Sequence, residues 1–566
     1  MKNLQTLFAL IACLSFFGCG NDTADSLVPV IEVPGASAKP MAYAKVIALP
    51  KLIQKAVEVV NAVKPGPESA MLPMLVGMAL GDASLSSVDP DAPVTVFIFD
   101  DFKKGEPSFV LAMKLEPDSP IKKQAETVGL KTTEEDGWTL ATMSPDLFDE
   151  VTDWSSVLSF AKKDLEEDLE AGVLLDTFWN ELPEIKDSIT QELGSSGMDS
   201  MLHLFLDEVA NLEATKIELS LSAEEIMMRA TVSAKEETEL HALFSAEPKP
   251  FASDVAQYVS GGGWMDALVN FDSASFLKYF EHVIGRINEN TEDADAKKLT
   301  DGYLSIIRDG VKMYGGQMAM SYLLSGDGNP LSFVQVASIQ ASPAELKKLV
   351  SESVVLGQEM LSSMEVFDSM GLKYDFEFGE AEQIDGVEVF QFGMKMEADG
   401  VHPELQTLVP YSNTSTFFAV HEGNYLAATS KDKLTQLLSA LKSGKPVENN
   451  LAEQLSIGEG EVMSWRLDVV SYAQMVMSMV VVGENPLGEM MDGLLELKIP
   501  PVTGKVSLGK GRLSSEMRIP VKSIKAGFDY FESATQSAFE EPGQIEFEKI
   551  PSGGLPEAKA DLEREE

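Results

Sequence analysis

Four stretches of the chain share one order of apolar and polar positions. Each begins with a short apolar run, and these runs cover residues 41–46, 171–176, 264–269 and 462–468. Behind the first run, apolar residues return every three or four positions from Leu52 onwards, as on the buried side of a helix. A loop, a second apolar helix and a β-hairpin follow, so each stretch predicts one strand–helix–hairpin unit.

The hairpins are predicted from short apolar or alternating segments. A period of two with one apolar face is typical of a half-buried antiparallel strand. The strands predicted in this way are residues 94–99 with 109–115, 217–221 with 228–232, 318–324 before a glycine-containing turn, and 506–508 with 513–521.

Two finer likenesses indicate that the four units pair into halves. Ser119-Pro120 and Ser342-Pro343 each place a serine before a proline, which is a favourable start for a helix. Asp136-Gly137 and Glu422-Gly423 each precede a predicted strand and then a helix start. Chance likeness between ordinary elements is the alternative explanation.

The predicted fold class is α+β, with a duplicated body of two halves at residues 41–258 and 259–538. Hairpins dominate the pattern, so we expect antiparallel, curved sheets whose one face is covered by amphipathic helices. Gly261–Gly263 lies at the start of the second half and is interpreted as a hinge.

The charge of the chain limits its partners. The 566 residues include 90 acidic and 44 basic side chains, for a formal net charge of −46. An acidic surface without a basic stripe repels phosphates, which argues against nucleic-acid binding. The same charge argues against electrostatic docking on anionic lipid.

The N-terminus is the most informative segment. Lys2 precedes an apolar run from Leu4 to Phe17, which is too short to span a bilayer. The run ends at Gly18-Cys19, after which the chain becomes polar. Residues 1–19 resemble the signal peptide and lipobox of bacterial lipoproteins.

This resemblance implies that residues 1–18 are a signal peptide, removed just before Cys19. The Cys19 thiol would then carry a diacylglyceryl group, and the new amino group a further acyl chain such as palmitate. Cys13 is a competing lipidation site, and an ordinary cleaved signal peptide is a further alternative. Gly20, rather than aspartate, implies sorting to the outer membrane of a two-membrane envelope.

The remaining segments are interpreted from composition. Both cysteines lie within residues 1–19, so the body is expected to contain neither a thiol nor a disulfide. Residues 19–40 predict a lipidated cysteine with a flexible tether. Residues 539–566 predict an acidic disordered tail.

Motifs for catalysis are absent from the sequence. It contains no nucleophile elbow, phosphate-binding loop, dinucleotide fingerprint or HExxH zinc motif, and its five histidines are scattered. We therefore predict no catalytic residue, no cofactor and no metal site.

Methionine is the one unusual positive feature, with 27 residues. Such side chains suit adaptable apolar surfaces, although ordinary core filling is the simpler alternative. The methionines that we predict to line an apolar groove for a lipid or hydrophobic peptide are Met71, Met74, Met78, Met475, Met479, Met490 and Met491.

The sequence thus favours a non-enzymatic protein of the bacterial envelope. It would be held at the membrane by its N-terminal lipid and would bind an apolar ligand or an envelope protein. A secreted hydrolase with paired carboxylates between the halves is one alternative. A purely structural envelope scaffold is the other.

Overall fold

The computed structural model describes residues 27–35, 39–99, 108–175, 207–290, 294–324, 332–363, 372–398, 414–480 and 497–540. The predicted signal peptide, Cys19 and nearly all of the acidic tail lie outside the described residues. The strands are β1 (Pro40–Val46), β2 (Val94–Phe99), β3 (Ser108–Met113), β4 (Lys131–Glu135), β5 (Trp138–Thr142), β6 (Leu169–Leu174), β7 (Leu212–Leu221), β8 (Glu225–Ala234), β9 (Met265–Asn270), β10 (Tyr314–Leu323), β11 (Ser332–Ile339), β12 (Leu372–Phe378), β13 (Glu382–Ile384), β14 (Val387–Ala398), β15 (Thr414–His421), β16 (Asn424–Ala428), β17 (Glu461–Leu467), β18 (Val502–Gly509) and β19 (Arg512–Pro520).

The helices are α1 (Leu49–Val63), α2 (Pro67–Leu80), α3 (Pro120–Thr127), α4 (Pro145–Glu150), α5 (Ser155–Lys162), α6 (Glu239–Phe244), α7 (Ser253–Ala256), α8 (Ser273–Asn290), α9 (Ala294–Met313), α10 (Pro343–Ser363), α11 (Lys431–Ser443), α12 (Leu451–Gln454), α13 (Val469–Val480) and α14 (Val521–Glu540). Within the described ranges, no helix is long and apolar enough to cross a membrane.

The nineteen described strands form one continuous sheet in which every pairing is antiparallel. The α+β class with antiparallel strands is therefore confirmed. Followed through its pairings, the sheet runs β4–β5–β3–β2–β1–β6–β7–β8–β19–β18–β17–β9–β10–β11–β16–β15–β14. At its far end β14 pairs with both β12 and β13.

The predicted local structure is largely confirmed. All four hairpins form, as β2–β3, β7–β8, β10–β11 and β18–β19. Ser119 caps α3 by accepting a hydrogen bond from the backbone N–H of Ile121. Asp136 and Gly137 have φ values of 50° and 75°, so they provide the left-handed residues that a two-residue hairpin turn requires.

The sheet has two faces, which we call front and back, because side chains alternate along each strand. We call the end of the sheet that contains β4, β5, β3 and β2 the first end. There, front-face residues such as Ala112 and Leu140 pack against α4 and α5. Back-face residues of the same strands, such as Val94 and Met113, pack in a core with Ile53 of α1. Both faces of this end are therefore buried.

The second end repeats this arrangement. Leu268 and Leu426 on the front face pack against Leu434 of α11 and against residues of α7 and α12. On the back face, Phe390 and Phe418 pack against Leu346 of α10. The expectation that helices cover one face only is wrong. Strands at both ends carry apolar residues at adjacent positions, so they need cover on both sides.

The segment before β1 is more ordered than predicted. Val28 and Ile31 are buried in the front-face core at the first end. The carbonyl of Pro34 accepts a hydrogen bond from the backbone N–H of Thr152. Residues 27–34 are therefore part of the body, and the predicted tether from 19 to 40 is too long.

Candidate functional site

One row of directly paired residues crosses almost the whole front face, and we call it the transverse row. Residues that are opposite each other in adjacent strands lie on the same face, with their side chains in contact range. From β4 to β14 the transverse row is Thr133, Leu140, Ala112, Thr95, Lys45, Glu170, Glu218, Arg229, Glu516, Lys505, Ser464, Leu268, Ala319, Val336, Leu426, Ala419 and Val389.

The centre of the transverse row differs from its two ends. The ends are mainly apolar and lie under α4 and α5, or under α7, α11 and α12. The centre, from Lys45 to Lys505, carries six consecutive charged residues on six adjacent strands. We call the front face of β6, β7, β8, β19 and β18 the charged centre, and it is the candidate functional site.

Arg229 is the middle of the charged centre. Its Nη1 lies 3.7 Å from an Oε atom of Glu218, and its Nη2 lies 3.3 Å from an Oε atom of Glu516. Glu167 approaches the same guanidinium at 3.6 Å. Because β8 and β19 are neighbours, this cation joins strands that lie almost 300 residues apart in the chain.

Two further cations extend the network to either side. Lys216 of β7 lies 2.9 Å from Glu218 and 3.3 Å from Glu170. Lys505 of β18 lies 2.7 Å from Glu461 of β17. Glu170 and Glu218 lie opposite each other on β6 and β7, and Lys216 bridges these two like charges. The ion pairs between strands favour this register over a slipped one.

The charged centre favours the ionised form of its groups. Partial burial acts to raise the pKa of Glu516, but hydrogen bonds and charge from Arg518 and Arg229 bring it below its usual value. Burial acts to lower the pKa of Lys216, but the carboxylates of Glu218 and Glu170 raise this pKa above its usual value.

Lys45 marks the border between the charged centre and the first covered end. Its side chain is 1% exposed, and its Nζ donates hydrogen bonds to the carbonyls of Phe160 and Lys163 at the end of α5. Burial lowers the pKa of Lys45 to about 8. This lysine therefore attaches the sheet to the C-terminus of a helix, where a positive charge is favourable.

Asp266 occupies the equivalent border at the second end and is fully buried. Its carboxylate accepts hydrogen bonds from the backbone of Gly262 and Gly263, accepts one from Ser321 at 2.6 Å, and lies 2.8 Å from Arg466 Nε. A Cβ on Gly263 would lie 2.1 Å from a backbone oxygen. The glycine run is thus a tightly packed turn that binds Asp266, and not a free hinge.

A cavity of about 200 Å³ opens beside the charged centre, next to α12. Its lining includes Gln454, Lys505, Glu516 and Arg518. Lys505 and Arg518 are nearly half exposed, at 44% and 46%. The charged centre therefore offers solvent-accessible cations on this side.

Two other described cavities lie elsewhere. One of about 280 Å³ lies at the start of α8, and one of about 310 Å³ lies on the back face near Tyr322 and Phe333. The described residues contain no group of three or more His, Cys, Asp or Glu placed to hold a metal ion.

The structure separates the predicted methionine groove into different environments. Met71, Met74 and Met78 are exposed on α2, whereas Met475 is buried in α13. Nothing is described of the Met479 side chain, and Met490 and Met491 lie outside the described residues. None of the three cavities above is lined by these methionines.

Sequence reasoning missed the charged centre. The signal was present, since Lys216 and Glu218 share one face of β7 and Glu516 and Arg518 share one face of β19. What could not be predicted is that strands almost 300 residues apart become neighbours.

Comparison with known proteins does not identify a family for this chain. The chain matches no protein-family model, no curated protein and no solved structure.

Proposed function

We propose that this protein is a lipid-anchored bacterial envelope protein whose duplicated, non-enzymatic body binds a protein partner at the charged centre. The anchor is supported by residues 1–19, where an apolar run ends at Gly18-Cys19. Acyl chains on Cys19 would hold an acidic body at a membrane without any need for surface charge. Gly20 favours the outer membrane as the destination.

The anchor has a direct test in the host cell. Cys19→Ala removes the acylated thiol, so the variant should move from the membrane fraction to the soluble fraction. Cys13→Ala is the matched control and should remain with membranes. Retention of the Cys19→Ala protein at wild-type level would contradict the anchor.

The duplication is supported by the strand order of the two halves. In each half, the first three strands pair in chain order. The first strand also pairs, along its other edge, with the first strand of a second three-strand unit. The matching series are β3–β2–β1–β6–β7–β8 and β11–β10–β9–β17–β18–β19. The two series meet where their last strands, β8 and β19, pair with each other. This pairing is antiparallel, so it relates the two halves by an approximate two-fold axis. The β12–β14 hairpins are an addition to the second half.

Helices at the junction add to this argument. After β8, α6 packs against α8 of the second half. After β19, α14 packs against α1 of the first half. In this scheme the halves exchange helices reciprocally. The helix α7 also packs in the second core, which favours a boundary before Ser253.

Binding is supported by the front face of the charged centre, over which no helix within the described residues packs closely. The described helices that contact β7, β8 and β19 most extensively are α1, α6 and α14, and they belong to the back face. Helix-covered ends flank the charged centre on both sides of the front face. Ion pairs, whether exposed or partly buried, are weak evidence for stability, so this row is better explained by recognition or register than by folding energy. Complementary charges favour specific partners and rapid encounter.

The hydrolase alternative is less well supported. The carboxylates nearest the junction, Glu218 and Glu516, both lie beside the guanidinium of Arg229. However, a glycosidase pair needs one carboxyl group whose pKa is raised. The pKa of Glu516 is instead held below its usual value by Arg518 and Arg229. A broad hydrolase screen with positive results that Glu218→Gln abolishes would support this alternative instead.

Partner binding is tested by charge reversal within the native envelope. Chemical crosslinking of wild-type cells should join the protein to a defined partner. The double variant Lys505→Glu with Arg518→Glu should lose this product, because the accessible cations of the charged centre become acidic. Lys395→Glu is the matched control, since it reverses an exposed, ion-paired lysine on β14.

Two results would contradict the binding role. One is an equal crosslinked product in the charged-centre and Lys395 variants, which would place the contact elsewhere. The other is the absence of any product in the wild type, combined with an apolar compound that co-purifies from native membranes. That result would favour the apolar-ligand alternative.

A further inference from the structure

Helix α2 is apolar on every side, although it lies at the surface. Residues 69–80 contain no charged residue, in a chain with 134 charged side chains. On its inner side, Val76 and Leu80 pack in the back-face core with Ile53 and Leu85. A helix that is hydrophobic all round is normally buried. The outer side of α2 is therefore the exception.

The outer side carries a continuous stripe that we call the α2 stripe, formed by Met71, Met74, Leu75 and Met78. Their exposed fractions are 45%, 43%, 52% and 61%. The spacing i, i+3, i+4, i+7 puts all four on one face of the helix. Burial of these flexible side chains elsewhere would be favourable, because each is large and lacks a polar group.

From this stripe, and resting on the lipid anchor proposed above, we infer that α2 inserts the α2 stripe into the interface of the bilayer that holds Cys19. Interfacial helices bury such a stripe at the boundary of headgroups and acyl chains. The acidic body cannot approach anionic lipid by charge, whereas an uncharged stripe does not oppose such contact.

The size of the α2 stripe favours a bilayer over a second copy of the chain. Four large side chains at about half exposure present an area of about 400 Å², within the size of the largest patch on ordinary monomers. One side of a stable protein interface buries about 800 Å². The stripe is thus too small for a dimer on its own but sufficient to orient a body that is already anchored.

The reach of the chain is compatible with this contact. The eight residues from Cys19 to Leu27 span at most about 28 Å. Leu27 and Val28 pack on the front face, whereas α2 lies on the back face, and two packed layers are about 20 Å deep. The tether is thus longer than the body is deep, and the charged centre would be turned away from the bilayer when the acyl chains and α2 contact one membrane surface.

The lack of a thiol in the body makes the test site-specific. Met78→Cys places a single environment-sensitive fluorophore on the α2 stripe. Met143→Cys is the matched control, because Met143 has the same 61% exposure but precedes α4 on the front face. The full lipidated protein, labelled at one site or the other, is reconstituted into phosphatidylcholine vesicles with and without brominated lipid.

We expect the fluorescence emission of the label at residue 78 to shift to shorter wavelength in the presence of vesicles. We also expect brominated lipid to quench this label several-fold more than the label at residue 143. Equal quenching at the two sites in vesicle-bound protein would overturn the inference but leave the anchor intact. Failure of the protein to bind vesicles would count against the anchor itself. A blue shift that persists without vesicles and depends on protein concentration would identify a second copy as the occupant.

Discussion

The covered ends and the charged centre of the front face use the same backbone positions in different ways. At the ends, residues such as Leu140 and Leu426 are fully buried beneath helices. In the middle of the sheet, the same row carries Glu218, which is buried, and Arg229 and Glu516, which are partly exposed. The hydrogen-bonded ladder is continuous throughout, so the difference lies in the side chains and in what covers them.

This comparison separates two ways of holding a sheet together. Burial of apolar side chains supplies most of the free energy at the ends. In the centre, opposite charges across adjacent strands supply specificity of register, with a small net energy. The centre can therefore remain accessible to a partner, and the ends cannot.

The largest effect on the free energy of unfolding is expected where helices cover the transverse row. Leu426→Ala removes a fully buried side chain between the sheet and α11, and should lower the free energy of unfolding by about 2–5 kcal/mol. Chemical denaturation of Leu426→Ala and of Ser464→Ala, whose residue lies in the same row, compares the losses in the free energy of unfolding of the two variants. A loss below that of Ser464→Ala would refute the assignment of stability to the ends.

A smaller effect is expected at the middle of the charged centre. Arg229→Met leaves Glu218 and Glu516 without their shared cation, and should cost about 2 kcal/mol, less than for a fully buried pair because water still reaches the site. Adding Glu218→Gln and Glu516→Gln should restore most of the loss. If the triple variant is no more stable than Arg229→Met, uncompensated charge is not the cause.

The lowered pKa of the border residue Lys45 predicts how the stability of the protein depends on pH. Its pKa is about 8 in the folded protein and about 10.5 when unfolded, so between these values the unfolded chain binds more protons. Stability should therefore rise with pH across this window, by at most about 1.4 kcal/mol per pH unit. The measured quantity is the difference in unfolding free energy between wild type and Lys45→Met from pH 8 to 10.5, which cancels other titrations. Parallel curves would exclude a lowered lysine pKa.

The smallest effect is expected for an ion pair outside the charged centre. Lys395 and Glu377 form such a pair on β14 and β12, and both side chains are more than half exposed. Lys395→Ala should change the free energy of unfolding by less than about 0.5 kcal/mol. A loss equal to that of Arg229→Met would remove the distinction between the charged centre and ordinary surface pairs.

Local features were predictable because they depend on neighbouring residues. The β2–β3 and β7–β8 hairpins follow from short apolar segments, and the serine cap at Ser119 follows from its proline. The spacing of Met71, Met74 and Met78 correctly indicates one face of a helix. It cannot tell which face is buried, and in α2 the apolar inner side, with Val76 and Leu80, occupies the core instead.

By itself, the sequence determined the four hairpins, the α+β class and an acidic chain whose two cysteines both lie in the first nineteen residues. These depend on composition and on periods of two or 3.6 residues, which any short window contains. Only the tertiary structure decided that β8 and β19 pair, which places Arg229 against Glu516 and creates the charged centre. It also decided that α2 turns its methionines outward. Both outcomes depend on which distant segments compete for the same buried surface, and that competition takes place only in the folded chain.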